Sequence, residues 1–243
     1  LLGCFFLFAV AGCARHTHLA NVQVTPYYVD NEQSTTKRID SLVAPYKLAL
    51  DAEMNAPIGR VAEQLDLGKP ESTLGNWLAD ALYEQTKKRS DAHLDFALLN
   101  YGGVRVPFLS KGPVTKGNIF ELMPFDNGIV IIELDATTLE LLLNRMAMDG
   151  GWPASQQLHY AIRAGKIENA MIKGQPITQN RTYAVALSDY VANGGDKCPF
   201  LKDKPRRELG TLLRDAFLEA VRETDAKGET IEARLDGRAR LFE

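Results

Sequence analysis

Gly128-Ile129-Val130-Ile131-Ile132-Glu133-Leu134-Asp135 is followed by Leu139, Leu142, Leu143 and Met146. The first run is rich in β-branched residues and predicts a strand. The second set recurs at i, i+3, i+4 and i+7 and predicts a helix, with Asp135 placed to cap its start. Working outward, the same mixture continues in both directions. Toward the N-terminus, residues 37–53 read as a helix interrupted by Pro45, with Ile39, Leu42, Leu48 and Leu50 as its apolar positions. Residues 58–65 read as a strand. Leu74, Trp77, Leu78, Ala81 and Leu82 mark one face of a helix behind Ser72 and Thr73, both candidate N-caps. Residues 94–99 read as a buried strand ending at Asn100, and 115–122 as a short helix. Toward the C-terminus, 158–163 and 167–172 read as paired strands around Ala164-Gly165, and 182–187 as a further strand. Leu209, Leu212, Leu213, Ala216, Phe217, Ala220 and Val221 read as a last amphipathic helix. These apolar stripes are taken as core. Helices and strands interleave without a regular βαβ period, so the expected class is α+β.

Composition bounds the function. The 243 residues are 45% hydrophobic and 24% charged, ordinary values for a globular chain. The formal net charge of −3 gives no basic field for a nucleic-acid partner. An anionic ligand must therefore be held by local donors.

The uncharged apolar run over residues 1–12 is too short to span a bilayer and fits a signal peptide truncated at its start. It ends Val10-Ala11-Gly12-Cys13, which resembles the bacterial lipoprotein box, with Cys13 the lipidated first residue after cleavage. A plain signal peptide with an incidental cysteine is the alternative. Residues 13–35 then form a lipid-anchored tether, and 36–243 a single domain. The expected location is the bacterial cell envelope, at the outer membrane facing the periplasm. Of the three cysteines, Cys4 leaves with the signal and Cys13 takes the lipid, so Cys198 has no internal disulfide partner.

Three loops depart from packing logic. Asn100-Tyr101-Gly102-Gly103-Val104-Arg105 follows a strand. Its paired glycines let backbone N–H groups approach a ligand, and Arg105 offers a planar fork for phosphate or carboxylate. Leu122-Met123-Pro124-Phe125-Asp126-Asn127 carries an aromatic ring beside proline. Asp189-Tyr190-Val191-Ala192-Asn193-Gly194-Gly195-Asp196 makes a tight turn that fixes a carboxylate. Taken singly, each reads as structural rather than functional: the first and third as turns, Phe125 as a core plug.

Their joint order is informative. Ser72-Thr73-Leu74-Gly75-Asn76-Trp77-Leu78-Ala79-Asp80-Ala81, then the loop 100–105, then Asn118-Ile119-Phe120-Glu121-Leu122-Met123-Pro124-Phe125, then Ala192-Asn193-Gly194-Gly195-Asp196 resembles the C-terminal domain of the 5′-nucleotidase / UDP-sugar hydrolase family. The resemblance covers roughly residues 36–240. It implies a four-layer α/β/β/α fold that holds the nucleotide, while a separate N-terminal metallophosphoesterase domain hydrolyses it with two metal ions. By motif, Phe125 and Tyr190 become the rings that sandwich the base. Asn100 and Arg105 face sugar and phosphate, and Asp196 accepts from the ribose hydroxyls. Gly102, Gly103, Asn193 and Gly195 complete the binding set. Two departures stand out. Tyr190 occupies a position where the family often has Phe. Gly68-Lys69-Pro70-Glu71 stands where family enzymes tend to carry a phosphate-binding Arg.

The metal-ligand motifs of the hydrolytic domain are not expected in this chain, whose four histidines are His16, His18, His93 and His159. No catalytic residue, metal or cofactor is therefore assigned to it, and divalent metals are expected only in a partner phosphoesterase. The functional expectation is the nucleotide- or nucleoside-binding half of a split 5′-nucleotidase in nucleotide catabolism. The alternative is a non-catalytic envelope lipoprotein that senses or scavenges nucleosides.

Overall fold

A computed structural model describes Val24, Pro26 and residues 37–242. The signal, Cys13, His16 and His18 lie outside the described residues. The chain divides into two units at Pro45–Tyr46, within α1, and the sheets and cores described below are those of the second. In chain order the elements are α1 (Lys37–Met54), β1 (Pro57–Val61), β2 (Leu65–Asp66), α2 (Thr73–Arg89), β3 (Phe96–Ala97), β4 (Phe108–Leu109), β5 (Gly112–Thr115), α3 (Lys116–Leu122), β6 (Gly128–Asp135) and α4 (Ala136–Met148). They continue with β7 (Leu158–Arg163), β8 (Lys166–Ile172), β9 (Gln175–Pro176), β10 (Thr182–Ser188), α5 (Asp189–Ala192), β11 (Arg206–Leu212), α6 (Leu213–Ala226) and β12 (Ala239–Phe242).

Strand β6 is the axis of the main sheet, whose order is β11-β6-β10-β3. Side chains alternate across a strand, and both faces of β6 are apolar. Ile129 and Ile131, with Ala184 and Ala186 of β10, join a core that includes Leu78 and Leu82 of α2 and Phe217 and Val221 of α6. Val130, Ile132 and Leu134, with Tyr183, Val185 and Leu187, join a second core. That core contains Leu139, Leu142, Leu143 and Met146 of α4, and Leu158, Tyr160 and Ile162 of β7. Each Val, Leu, Ile, Phe or Met among them, fully buried, stabilises the fold by about 1.5–3 kcal/mol relative to exposure. The smaller sheet has the order β12-β7-β8-β9, and β1-β5 and β2-β4 form two-stranded ribbons. The fold is thus the α+β, layered helix-and-sheet arrangement that the resemblance implies.

Local signals set the helix starts. Asp135 caps α4 by accepting from the Thr138 N–H at 2.8 Å. The Thr115 and Asn118 side chains close a reciprocal capping box on α3. Ser72 Oγ accepts from the Gly75 N–H at 3.2 Å and caps α2. A Cβ at Gly75 would stand 2.7 Å from that oxygen, so glycine lets the cap close. Ser72→Ala should lower stability by about 1 kcal/mol. Urea unfolding measures this, and an unchanged midpoint would count against the cap.

Several expectations are corrected. The strand predicted over 58–65 splits into β1 and β2, and the strand over 94–99 pairs as a ladder only at Phe96–Ala97. Leu209 and Leu212 belong to β11, not to the last helix. The 3–4 spacing of leucines there suits either element, and antiparallel pairing with β6 decides for a strand. Strand β12 was not expected; it pairs in parallel with β7, so no hairpin turn announces it. In α1, Ile39, Leu42, Leu48 and Leu50 are exposed rather than core. No described helix is long and apolar enough to cross a membrane.

Candidate functional site

The main sheet delivers two of the three loops. The chain leaves β3 through Leu98 and Leu99 to reach Asn100, which is only 6% exposed. A short 3-10 turn, Tyr101–Gly103, follows. The Gly103 N–H donates to the Asn100 carbonyl at 3.0 Å. A Cβ on Gly103 would stand 2.9 Å from Asn100 Oδ1, whereas Gly102 faces open space. Arg105 is fixed through its backbone N–H to the Leu122 carbonyl, 3.0 Å away. Its guanidinium donates to the Gly102 carbonyl at 3.3 Å and lies 5.7 Å from the centre of the Phe125 ring.

The loop after α3 carries Phe125 and is tied to α6. The Leu213 N–H donates to the Asn127 carbonyl at 2.9 Å, and Arg214 Nη2 donates to Asp126 Oδ1 at 2.6 Å. Phe125 is 40% exposed, so it is not a core plug.

The third loop begins where β10 ends. Ser188 caps α5, whose C-terminal side turns at Gly194 with φ +91°. Tyr190, 46% exposed, lies across Gly195, where a Cβ would meet the ring at 2.5 Å. Glycine is therefore obligatory under the ring. Asp196 follows in the left-handed region, at φ +48° and ψ +38°. Asn100 Nδ2 donates to Asp196 Oδ2 at 2.7 Å, and the Tyr190 hydroxyl donates to Oδ1 at 3.2 Å. The carboxylate is thus oriented from two loops that lie 96 residues apart.

Asn100, Gly102, Gly103, Arg105, Phe125, Tyr190 and Asp196 line one cleft of about 310 Å³ together with Asn127. Of the remaining predicted residues, Gly195 supports Tyr190 from behind, and Asn193 is exposed at the end of α5 and does not line the cleft. Asn127 was not among the predicted site residues, although its loop was. Lys69 stands 4.3 Å from the centre of the Tyr101 ring and donates to the Asp149 carbonyl. Neither Lys69 nor Pro70 lines the cleft. Beside the turn, burial pushes the Cys198 thiol up to about 11, which leaves it a neutral packing group.

One fragment of the hydrolytic motifs does occur, contrary to expectation. Asp91-Ala92-His93 has the Asp-x-His spacing. In the structure His93 Nε2 stands 3.0 Å from Asp95 Oδ1 instead. Among the described residues, no group of three or more His, Cys, Asp or Glu side chains could hold a metal ion.

Two exposed rings, an oriented carboxylate and an arginine thus converge on one cleft in a layered α+β domain. The family described as 5′-nucleotidase, C-terminal domain, matches residues 51–203. Protein UshA of Escherichia coli is 25% identical over 193 residues, covering 76% of this chain and 33% of that protein. The 5′-nucleotidase of Mus musculus is 24% identical over 226 residues, covering 81% and 38%. Among solved structures, the 5′-nucleotidase precursor of Thermus thermophilus superposes with a TM-score of 0.72 at 25% identity, over 85% of this chain and 43% of that one. The chain belongs to the 5′-nucleotidase C-terminal domain family. It spans about a third of the length of the E. coli relative.

Proposed function

We propose that this chain binds a nucleotide or nucleoside in the cleft and presents it to a separate metallophosphoesterase polypeptide, as one half of a split 5′-nucleotidase. The observation that carries the reading is the convergence of Phe125, Tyr190, Asp196 and Arg105 on one cleft of suitable size. Stacking of a base on an aromatic ring contributes about 1–3 kcal/mol. A carboxylate is the usual reader of paired ribose hydroxyls, and a guanidinium matches phosphate oxygens in fork geometry. Divalent metals belong to the partner in this reading. Lipidation at Cys13 would hold the chain at the envelope, in the outer membrane facing the periplasm, and so keep the cleft close to the partner.

A second reading is a non-catalytic envelope protein that senses or scavenges nucleosides. It is favoured by Lys69 and Pro70, which occupy the place of a phosphate-binding Arg yet do not line the cleft. The two readings differ over phosphate.

Preferential binding to the native state should raise the melting temperature as ligand concentration rises. Adenosine and adenosine monophosphate at millimolar concentration should both do so. No shift with any purine or pyrimidine compound would refute the stacking assignment. A shift with nucleosides alone, and none with monophosphates, would select the second reading.

A further inference from the structure

Asp196 sits in the left-handed region, which aspartate enters more readily than most non-glycine residues but still at a cost. A non-glycine residue at φ +48° carries backbone strain, and Lys197 follows at φ +63°. Such strain persists only where the surroundings over-determine it. The loop motif explains how the Asp196 carboxylate is oriented, through Asn100 and Tyr190. At the backbone the loop supplies only weak contacts: the Asp196 N–H reaches the Tyr190 hydroxyl at 3.4 Å, and the Cys198 thiol lies 3.7 Å from the Asp196 carbonyl.

The stronger, charged donor to that carbonyl comes from α4. Arg145 Nε donates to the Asp196 carbonyl at 2.8 Å. Its Nη2 is engaged one helical turn on, 2.8 Å from Asp149 Oδ2 and 2.7 Å from Oδ1. Asp149 in turn accepts from the indole N–H of buried Trp152 at 3.0 Å. The Asp149 carbonyl accepts from Lys69, the residue that stands against Tyr101 in the first loop. The Arg145 side chain is largely buried. Its planar fork can serve the carbonyl and the carboxylate at once, which an ammonium cannot do with the same geometry.

We infer that Arg145, seated on Asp149, is a positioning residue that holds the Asp196 turn and so sets the selectivity of the cleft for ribose hydroxyls. The selectivity rests on the nucleoside reading above; the hold on the turn does not. Asp149 fixes the guanidinium, the guanidinium fixes the Asp196 carbonyl, and the carboxylate then meets Asn100 and Tyr190 on the cleft side. Without Arg145 the turn relaxes away from the left-handed conformation, and the carboxylate loses its aim while the rings remain.

Two measurements on Arg145→Gln test this. Amide hydrogen exchange reads the turn without any ligand. Exchange of the Cys198 N–H, which donates to the Gly195 carbonyl at 3.0 Å, should accelerate at least tenfold, while amides of the central strands β6 and β10 keep their protection. Unchanged exchange over residues 194–198 would overturn the proposal. Calorimetric titration with adenosine and 2′,3′-dideoxyadenosine reads the consequence. The preference for adenosine should fall about tenfold in the variant, and dideoxyadenosine affinity should stay within about twofold. Arg145→Lys should restore less than half of the lost preference. Equal weakening of both ligands would show a general structural effect and overturn the selectivity role. Failure of the wild type to discriminate between the two would instead refute the ribose reading, and the exchange result would still decide whether Arg145 holds the turn.

Discussion

Replacing Arg238 with Met is expected to lower the unfolding free energy by about 3 kcal/mol. The side chain is 4% exposed, and each N–H of its guanidinium has an acceptor. Nη1 donates to Asp80 Oδ1 and to the Ala154 carbonyl, both at 2.9 Å. Nη2 donates to Asp80 Oδ2 at 3.0 Å and to Asp236 Oδ2 at 2.6 Å, and Nε to Asp236 Oδ1 at 2.9 Å. One guanidinium therefore joins α2, the segment before β7 and the segment that leads into β12. Met fills a similar volume but leaves the Ala154 carbonyl without its side-chain donor and strips both carboxylates of their cation, Asp80 keeping only the Gln156 N–H and Asp236 only the backbone N–H of residue 238, which costs more than the pair contributes when intact. The penalty should also depend on pH. The hydrogen bond from Arg238 holds the Asp236 carboxyl below its ordinary value of 3.8. A depressed value contributes stability that is fully present above the unfolded value and is lost as pH falls through the folded one. The difference between wild type and variant should thus be largest near neutrality and shrink in acid below about pH 4. Urea unfolding at pH 7 and pH 3 measures both. A loss below about 1 kcal/mol at pH 7 would refute the expected cost of breaking the clamp.

That clamp bears on what was legible in the sequence. The stretch Ser72–Ala81 helped to place the chain in its family, yet its polar residues serve the fold. Asn76 Nδ2 donates to Glu71 Oε1 at 2.8 Å and to the Arg234 carbonyl at 2.9 Å, and Asp80 receives Arg238. Helices α2 and α4 were readable because their apolar residues recur with helical period and their caps stand at fixed offsets. Strand β6 was readable from its β-branched run. Strands β11 and β12 were not, because what defines them is a partner strand far away in the sequence. The 3–4 spacing around Leu209 and Leu212 even pointed to the wrong element. A period describes one segment, whereas a sheet edge is decided by pairing.

The site divides the same way. Residues that touch the cleft lie on short loops with glycines and aromatics, and motif order named nearly all of them. Asn127 escaped because only its neighbour Phe125 carries a distinctive side chain. The groups that hold those loops were not legible. Arg145 reads as a polar position on an amphipathic helix, and Arg214 as one more charge near the start of α6. Each nevertheless fixes a loop of the cleft, Arg145 through the Asp196 carbonyl and Arg214 through Asp126. Nothing in the spacing of 145 and 196, or of 126 and 214, announces those contacts.

Asp196→Ala is expected to weaken nucleoside binding at least tenfold. A hydrogen bond to a charged group contributes about 1.5–3 kcal/mol, and tenfold corresponds to about 1.4 kcal/mol. The Asp196 oxygens already receive Asn100 and Tyr190, but each carboxylate oxygen has a second lone pair free for a ribose hydroxyl. The substitution also leaves the nearly buried Asn100 amide without its acceptor, so melting temperature must be followed beside affinity. Binding of a 2′,3′-dideoxynucleoside should be weak in the wild type and hardly changed in the variant, since it presents no hydroxyl to lose. Arg105→Ala should divide the ligands differently. Its guanidinium lies against the edge of the cleft at Phe125 and Gly102, so a monophosphate should lose more affinity than its nucleoside. If Asp196 and Arg105 serve only the fold, both substitutions will lower the melting temperature and leave the ranking of ligands intact. Calorimetric titration of both variants with adenosine, 2′,3′-dideoxyadenosine and adenosine monophosphate separates these outcomes. Equal losses for all three ligands would remove Asp196 and Arg105 from the binding site.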